Sequence, residues 1–165
     1  MGSRKTAVSD FDFDYLHAGL FFDLGENGQK FRNGVRFDIR VRDGSRPNHL
    51  GALWLGQYYF DSGWTARMNI LSSVQFGDRA NDGVNLQTRA QLAKRLESGD
   101  GIGLEMYSFY GSTDNLGNFN SQNHAVGPTY TKVIDSNWSL FSSLLLGVSE
   151  SAPDTQWRFW LIRSF

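Results

Sequence analysis

Four arginines, Arg32, Arg36, Arg40 and Arg42, stand an even number of residues apart in one short stretch. On an extended strand alternate side chains project to one face, so all four line a single strip. Guanidinium groups in that arrangement form an anion-attracting wall or a structural network with carboxylates. Asp38 lies in the same strip, and Arg67, Arg89 and Glu105 occupy other strand-like segments. If the strands close into a narrow barrel, the ion-pair network carries more weight. An interior of about eight strands is filled by side chains, and Asp38, Glu105 and the N-terminal aspartates would neutralise it.

Other chemistry is thinner. His17, His49 and His124 form no metal-binding repeat of the HxH or HxxxH kind. They read as polar residues at strand ends or in a lumen. Ser and Asp are plentiful, so a serine–histidine–acid site is compatible with the chain, but it would need three groups converging in space. Gly101 and Gly103 follow a turn and open no helix, so no phosphate-binding loop is expected. There is no cysteine, which removes disulfides and thiolate metal sites. A net charge of −1 gives no global field for nucleic acid. The expectation is a protein without cofactor, metal or nucleic-acid partner, and not an enzyme.

The elements that would position these residues alternate strictly. From Phe31 to Arg42 the odd positions are nearly all apolar and the even ones carry the charges. Trp64, Ala66, Met68, Ile70, Ser72, Val74 and Phe76 form a second apolar face, opposed by Thr65, Arg67, Asn69, Ser73 and Gln75. Val84 to Leu92 and Trp138 to Val148 repeat the pattern. A helical period would scatter these sets around a cylinder. The spacing predicts nine strands, over 10–24, 29–42, 49–60, 64–76, 84–96, 102–111, 124–134, 138–148 and 155–165. Short turns (Glu26-Asn27-Gly28, Asp61-Ser62-Gly63, Ser98 to Gly101, Asp135-Ser136-Asn137) alternate with longer loops (Asp43–His49, Asp78–Gly83, Ser112–Gln122, Ser149–Thr155). That sorting fits an up-and-down membrane barrel.

The expected fold is therefore an all-β, antiparallel up-and-down transmembrane β-barrel. Residues 1–9 form a flexible N-terminal segment, and 10–165 a single domain. Bacterial barrels carry even strand numbers, so nine leaves the count between eight and ten. Asp10, Asp12 and Asp14 share a parity with Leu16, Ala18 and Leu20. This conflict predicts a β-bulge near Asp14–Leu16 that turns the aspartates inward, toward Arg40 and Arg42, and Phe11 and Phe13 outward.

Alternation does not say which face meets water. No apolar run reaches the roughly 18–20 residues of a membrane helix, and a mean hydropathy of −0.40 suits a soluble chain or a barrel with a polar lumen. The polar face favours arginine, with 12 Arg against 4 Lys in the chain, which suits a crowded lumen better than a free surface. Aromatic residues stand near strand ends, Trp64, Phe76, Tyr110, Trp138, Trp157 and Phe165, as in an interfacial girdle. The alternative is a soluble ligand-binding barrel, with the same aromatics closing its core.

The final stretch, Trp157-Arg158-Phe159-Trp160-Leu161-Ile162-Arg163-Ser164-Phe165, resembles the closing strand of Gram-negative outer-membrane β-barrel proteins. Trp157, Phe159, Leu161 and the terminal Phe165 match that pattern. Arg163 departs from it, since an aromatic is usual there. The resemblance implies an outer-membrane location, contact with lipid and recognition of this strand by the outer-membrane assembly machinery. It names an architecture rather than an activity, and no segment resembles the signatures of outer-membrane lipases or proteases, which leaves a lipid- or peptide-hydrolysing enzyme as a minor alternative. The expected role is a porin-like channel or a structural, surface-binding barrel, with Arg32, Arg36, Asp38, Arg40, Arg42, Arg67, Arg89 and Glu105 in its lumen.

Overall fold

Period-two alternation becomes antiparallel strands wherever a turn lets neighbours pair, and nine long strands form among the described residues. The computed structural model describes residues 2–4, 12–26 and 28–164. After a three-residue strand β1 (Gly2–Arg4) come β2 (Asp12–Asp23), β3 (Phe31–Arg42), β4 (Asn48–Tyr59), β5 (Trp64–Phe76) and β6 (Val84–Arg95). β7 (Gly101–Ser112), β8 (Asn123–Val133), β9 (Trp138–Gly147) and β10 (Thr155–Arg163) complete the chain. They form one sheet in sequence order with every pairing antiparallel. Among the described residues the only helix is a 3-10 turn at Phe119–Ser121. The expected nine strands correspond to β2–β10, with ends displaced by one or two residues in most cases.

β1 lies inside the stretch, 1–9, expected to be a flexible N-terminal segment. It pairs with β2 as Gly2↔Tyr15, Ser3↔Phe13 and Arg4↔Asp12. A Gly-Ser-Arg strand carries no periodic signal, because backbone groups alone make the ladder. Asp14 is skipped in that pairing, so an irregularity does sit at the expected bulge position. Asp10, Phe11, Asn27 and Phe165 lie outside the described residues, as do the side chains of Asp12 and Phe13.

The sheet is curled but open. Arg158 on β10 reaches Glu105 on β7 at 2.9 Å, although three inter-strand spacings, about 14 Å along the sheet, separate them. The path between crosses small residues, Gly127, Thr129 and Ser143, which leave room for the guanidinium. Closure, expected from the sequence, is not present, since no ladder among the described residues joins β10 to β1 or β2. β1 has three residues and β10 nine, and both faces of β10 stay open, with Trp157, Phe159 and Leu161 on one side and Trp160 on the other each more than half exposed. Because the order is up-and-down, β1 and β10 run antiparallel to each other.

Register assigns every residue to a face. Directly paired residues share a side, so Phe22, Val35, Trp54, Ile70 and Thr88 form one row of the convex face. Phe31, Tyr58, Ala66, Leu92 and Leu104 form another. Large apolar side chains on this face stand uncovered, Leu20 at 67% and Leu104 at 58% exposure. The only buried apolar residues among those described are Ala125, Leu145 and Ala152. Among the described residues there is no apolar core in the ordinary sense.

Candidate functional site

The concave face takes the alternate rows. Arg32, Gln57, Arg67, Gln91 and Glu105 stand side by side on β3 to β7. Arg67 donates from Nε to Gln57 Oε1 at 2.7 Å and from Nη1 to Gln91 Oε1 at 3.2 Å, so one guanidinium ties three strands together. Arg32 closes on Asp23 at 2.5 Å and Glu105 on Arg158, one at each end of the row. Sequence periodicity exposes the arginines but not the glutamines that carry them, because glutamine has no charge to mark it as a partner.

Nearer the long loops, Asp38 is the organising anion. It accepts from Arg36 Nε at 2.9 Å and from His17 Nε2 at 3.0 Å. Gly19 makes this possible, since a Cβ there would lie 2.6 Å from Asp38 Oδ1. Arg40 lies over the Tyr15 ring at 4.9 Å, and Arg89 over Tyr107 at 5.0 Å, an attraction that supplies no counter-charge.

Among the described residues the ladder divides into arginines that hold a carboxylate and arginines that do not. Arg32 and Arg36 each hold a carboxylate. Among the described residues Arg40, Arg42, Arg67 and Arg89 have none within ion-pair distance. Asp14, expected to turn toward Arg40 and Arg42, instead pairs with Arg46 from the β3–β4 loop. The reason is positional, because Asp14 sits at the irregular end of β2, beside the loop rather than above the ladder. Arg40 Nε, Arg42 Nε and Gln87 Nε2 are buried donors without a partner, each costing about 1–3 kcal/mol if nothing else accepts from them. Their shared place on the concave face makes it donor-rich and electropositive. Among the described residues no cluster of His, Cys, Asp or Glu is placed to hold a metal.

The expected girdle residues other than Phe165, which lies outside the described residues, stand on the convex side toward the strand ends. At the short-turn rim Lys94 stands over Trp64 at 5.8 Å and Arg163 over Trp138 at 5.3 Å. Arg163, the departure from the closing-strand pattern, thus caps an aromatic. On the same rim Asp100, in the β6–β7 turn, accepts from Val133 N at 3.0 Å, Tyr130 Oη at 2.8 Å and Lys132 Nζ at 3.0 Å. These contacts, the Val133 amide foremost, hold its carboxyl down at about 2. Phe76 and Trp157 stand toward the long-loop rim, and Tyr110 bonds Thr88 Oγ1 at 2.8 Å.

One histidine has partners arranged in hydrolytic order. His124 Nδ1 meets Ser108 Oγ and Nε2 meets Gln122 Oε1, both at 2.9 Å. With Gln122 Oε1 as acceptor, Nε2 carries the proton and Nδ1 accepts from the serine hydroxyl. However, Ser108 is 3% and His124 7% exposed, and Phe119 stacks on the imidazole with centroids 4.4 Å apart. A serine so sealed offers no path to a substrate. The group instead anchors the two long loops, because Ser149 Oγ accepts from His124 N and donates to the Gln122 carbonyl. Asn120 and Glu150 join the same loops at 2.9 Å.

Compared with known proteins, the chain matches no family model, no curated protein and no solved structure.

Proposed function

We propose that this chain forms the wall of a transmembrane β-barrel in the bacterial outer membrane and serves as a passive, porin-like channel with an arginine-lined lumen. The observation that carries the reading is the inversion of the two faces. The convex side is apolar and uncovered, and the concave side gathers the arginines, glutamines and Asp38. A soluble ligand-binding barrel requires the opposite arrangement, with the apolar residues inside. Strands of 9 to 13 residues in β2–β10 suit a tilted crossing of the hydrocarbon layer. Aromatics capped by Lys94 and Arg163 at one rim suit the lipid–water interface.

In lipid an open sheet edge leaves backbone groups unpaired at several kcal/mol each, so closure is favoured there. The antiparallel sense of β1 and β10 supplies the orientation that closure needs. β10, with Trp157, Phe159 and Leu161 on its outer face, is the strand that the assembly machinery would read. The test is electrophoresis of boiled and unboiled samples after purification with and without detergent, followed by planar-bilayer recording. A heat-dependent mobility shift and stepwise, anion-preferring conductance are expected, with Arg40→Glu weakening the preference. Monodisperse behaviour without detergent overturns the proposal.

A further inference from the structure

The donor excess on the concave face is concentrated. Arg36, Arg40, His49, Ser73 and Arg89, from four strands, border one cavity of about 260 Å³ together with the His17–Asp38 pair. Arg36 and Arg89 also border a recess of about 50 Å³, floored by Leu53 and Leu71 and walled by Gln87. Three guanidinium groups meet one carboxylate here, and that carboxylate is already engaged by Arg36 and His17. Gln87 is 7% exposed and its Nε2 has no acceptor, and neither has Arg40 Nε. Buried donors of this kind ordinarily find a partner. Water supplies acceptor lone pairs but no charge, so it leaves the guanidinium excess uncompensated.

We infer that this cavity, together with the small recess with which it shares Arg36, Leu71 and Arg89 between β3 and β6, is a binding site for a phosphate-type oxyanion, the phosphoryl group of a small solute. Donors approach from strands on opposite sides of the cavity rather than as one planar fork, which suits a tetrahedral group with oxygens in several directions. The apolar floor of Leu53 and Leu71 strengthens the attraction by excluding water. The cavity holds the volume of roughly eight or nine waters at about 30 Å³ each, enough for a phosphoryl group and a small polar remainder beside His49 and Ser73. The inference rests on the reading of this face as a lumen only in that a solute must reach it.

The experiment is titration calorimetry of the folded protein in a phosphate-free detergent with inorganic phosphate, at constant ionic strength set by chloride. Saturable binding is expected, weakened at least tenfold in Arg89→Gln and in Gln87→Leu, and unchanged in Arg32→Gln, which lies outside the recess. Each variant is accepted only if it keeps the heat-dependent gel mobility of the parent, and Arg40→Gln serves if either fails. A phosphatidylglycerol micelle that competes at equal phosphate concentration would assign the phosphoryl group to lipid, whereas competition by glycerol phosphate alone assigns it to a free solute. Absence of saturable phosphate binding in the unmodified protein, or equal binding in all variants, overturns the site. Bilayer conductance is read separately. A conducting protein that ignores phosphate refutes the site and leaves the channel, and phosphate binding without conductance does the reverse.

Discussion

Met106→Arg distinguishes a lipid-facing surface from a water-facing one by the size of its effect. Met106 is the sixth of twelve residues in β7 and stands on the convex face at 43% exposure, beside Ala90 and Val126. A twelve-residue strand rises about 40 Å at about 3.4 Å per residue. In the proposed membrane barrel, at a tilt of about 45°, it would cross about 29 Å, close to the hydrocarbon thickness of about 30 Å. Met106 would then sit at the midplane, where arginine costs about 2–4 kcal/mol. On a surface in water the same exposed substitution stays within about 0.5 kcal/mol. Ile102→Arg, at the second position of β7 and toward the short-turn rim, is the depth control and costs about 0–1 kcal/mol. The assay is a urea titration of folding into phospholipid vesicles, read by tryptophan fluorescence, with the slope checked for constancy between variants. Two variants that both stay within about 0.5 kcal/mol of the parent would refute the assignment of the convex face to lipid.

Further outcomes follow from single contacts. Glu105→Gln is expected to cost about 1–3 kcal/mol, because Arg158 is left without its counter-charge at a site where the carboxylate is 12% exposed. Glu105→Gln combined with Arg158→Gln recovers part of that loss, and strict additivity in the double-mutant cycle would dismiss the pair. The Asp100 carboxyl lies at about 2 in the folded chain against an ordinary 3.8. Its folded pKa is lowered, so its contribution is full above the ordinary value and fades as pH falls through about 2. The stability gap between the parent and Asp100→Asn should therefore narrow between pH 3.8 and about 2 in acid titrations, and a gap independent of pH contradicts the contacts with Val133, Tyr130 and Lys132. Gly127→Ala places a methyl against the Leu144 carbonyl oxygen, which cannot yield as a side chain would. A loss of about 3 kcal/mol is expected in the same urea assay, and an unchanged midpoint would show that β8 and β9 part freely there.

The sequence by itself determined what depends on nearest neighbours along the chain. The strands read as 29–42 and 64–76 follow from period-two alternation, a local property of extended backbone, and they form as Phe31–Arg42 and Trp64–Phe76. The sorting of turns is equally local. Gly63, with φ of +79°, ends a short turn of Asp-Ser-Gly that any reader of turn chemistry would place. The arginine strip and the parity conflict at Asp14 were legible for the same reason. Which arginine meets which acid was not. Arg158 finds Glu105 across 53 residues only because the sheet curls over small side chains on β8 and β9, and Asp38 serves His17 and Arg36 only because Gly19 leaves it room. Gln57, Gln91 and the loop anchor at His124 likewise depend on register and on loops folding back over the sheet. Tertiary structure alone decided the unpaired donors of the concave face and the open edge at β10. Register and curvature are properties of strands acting together, and no period along one strand encodes them.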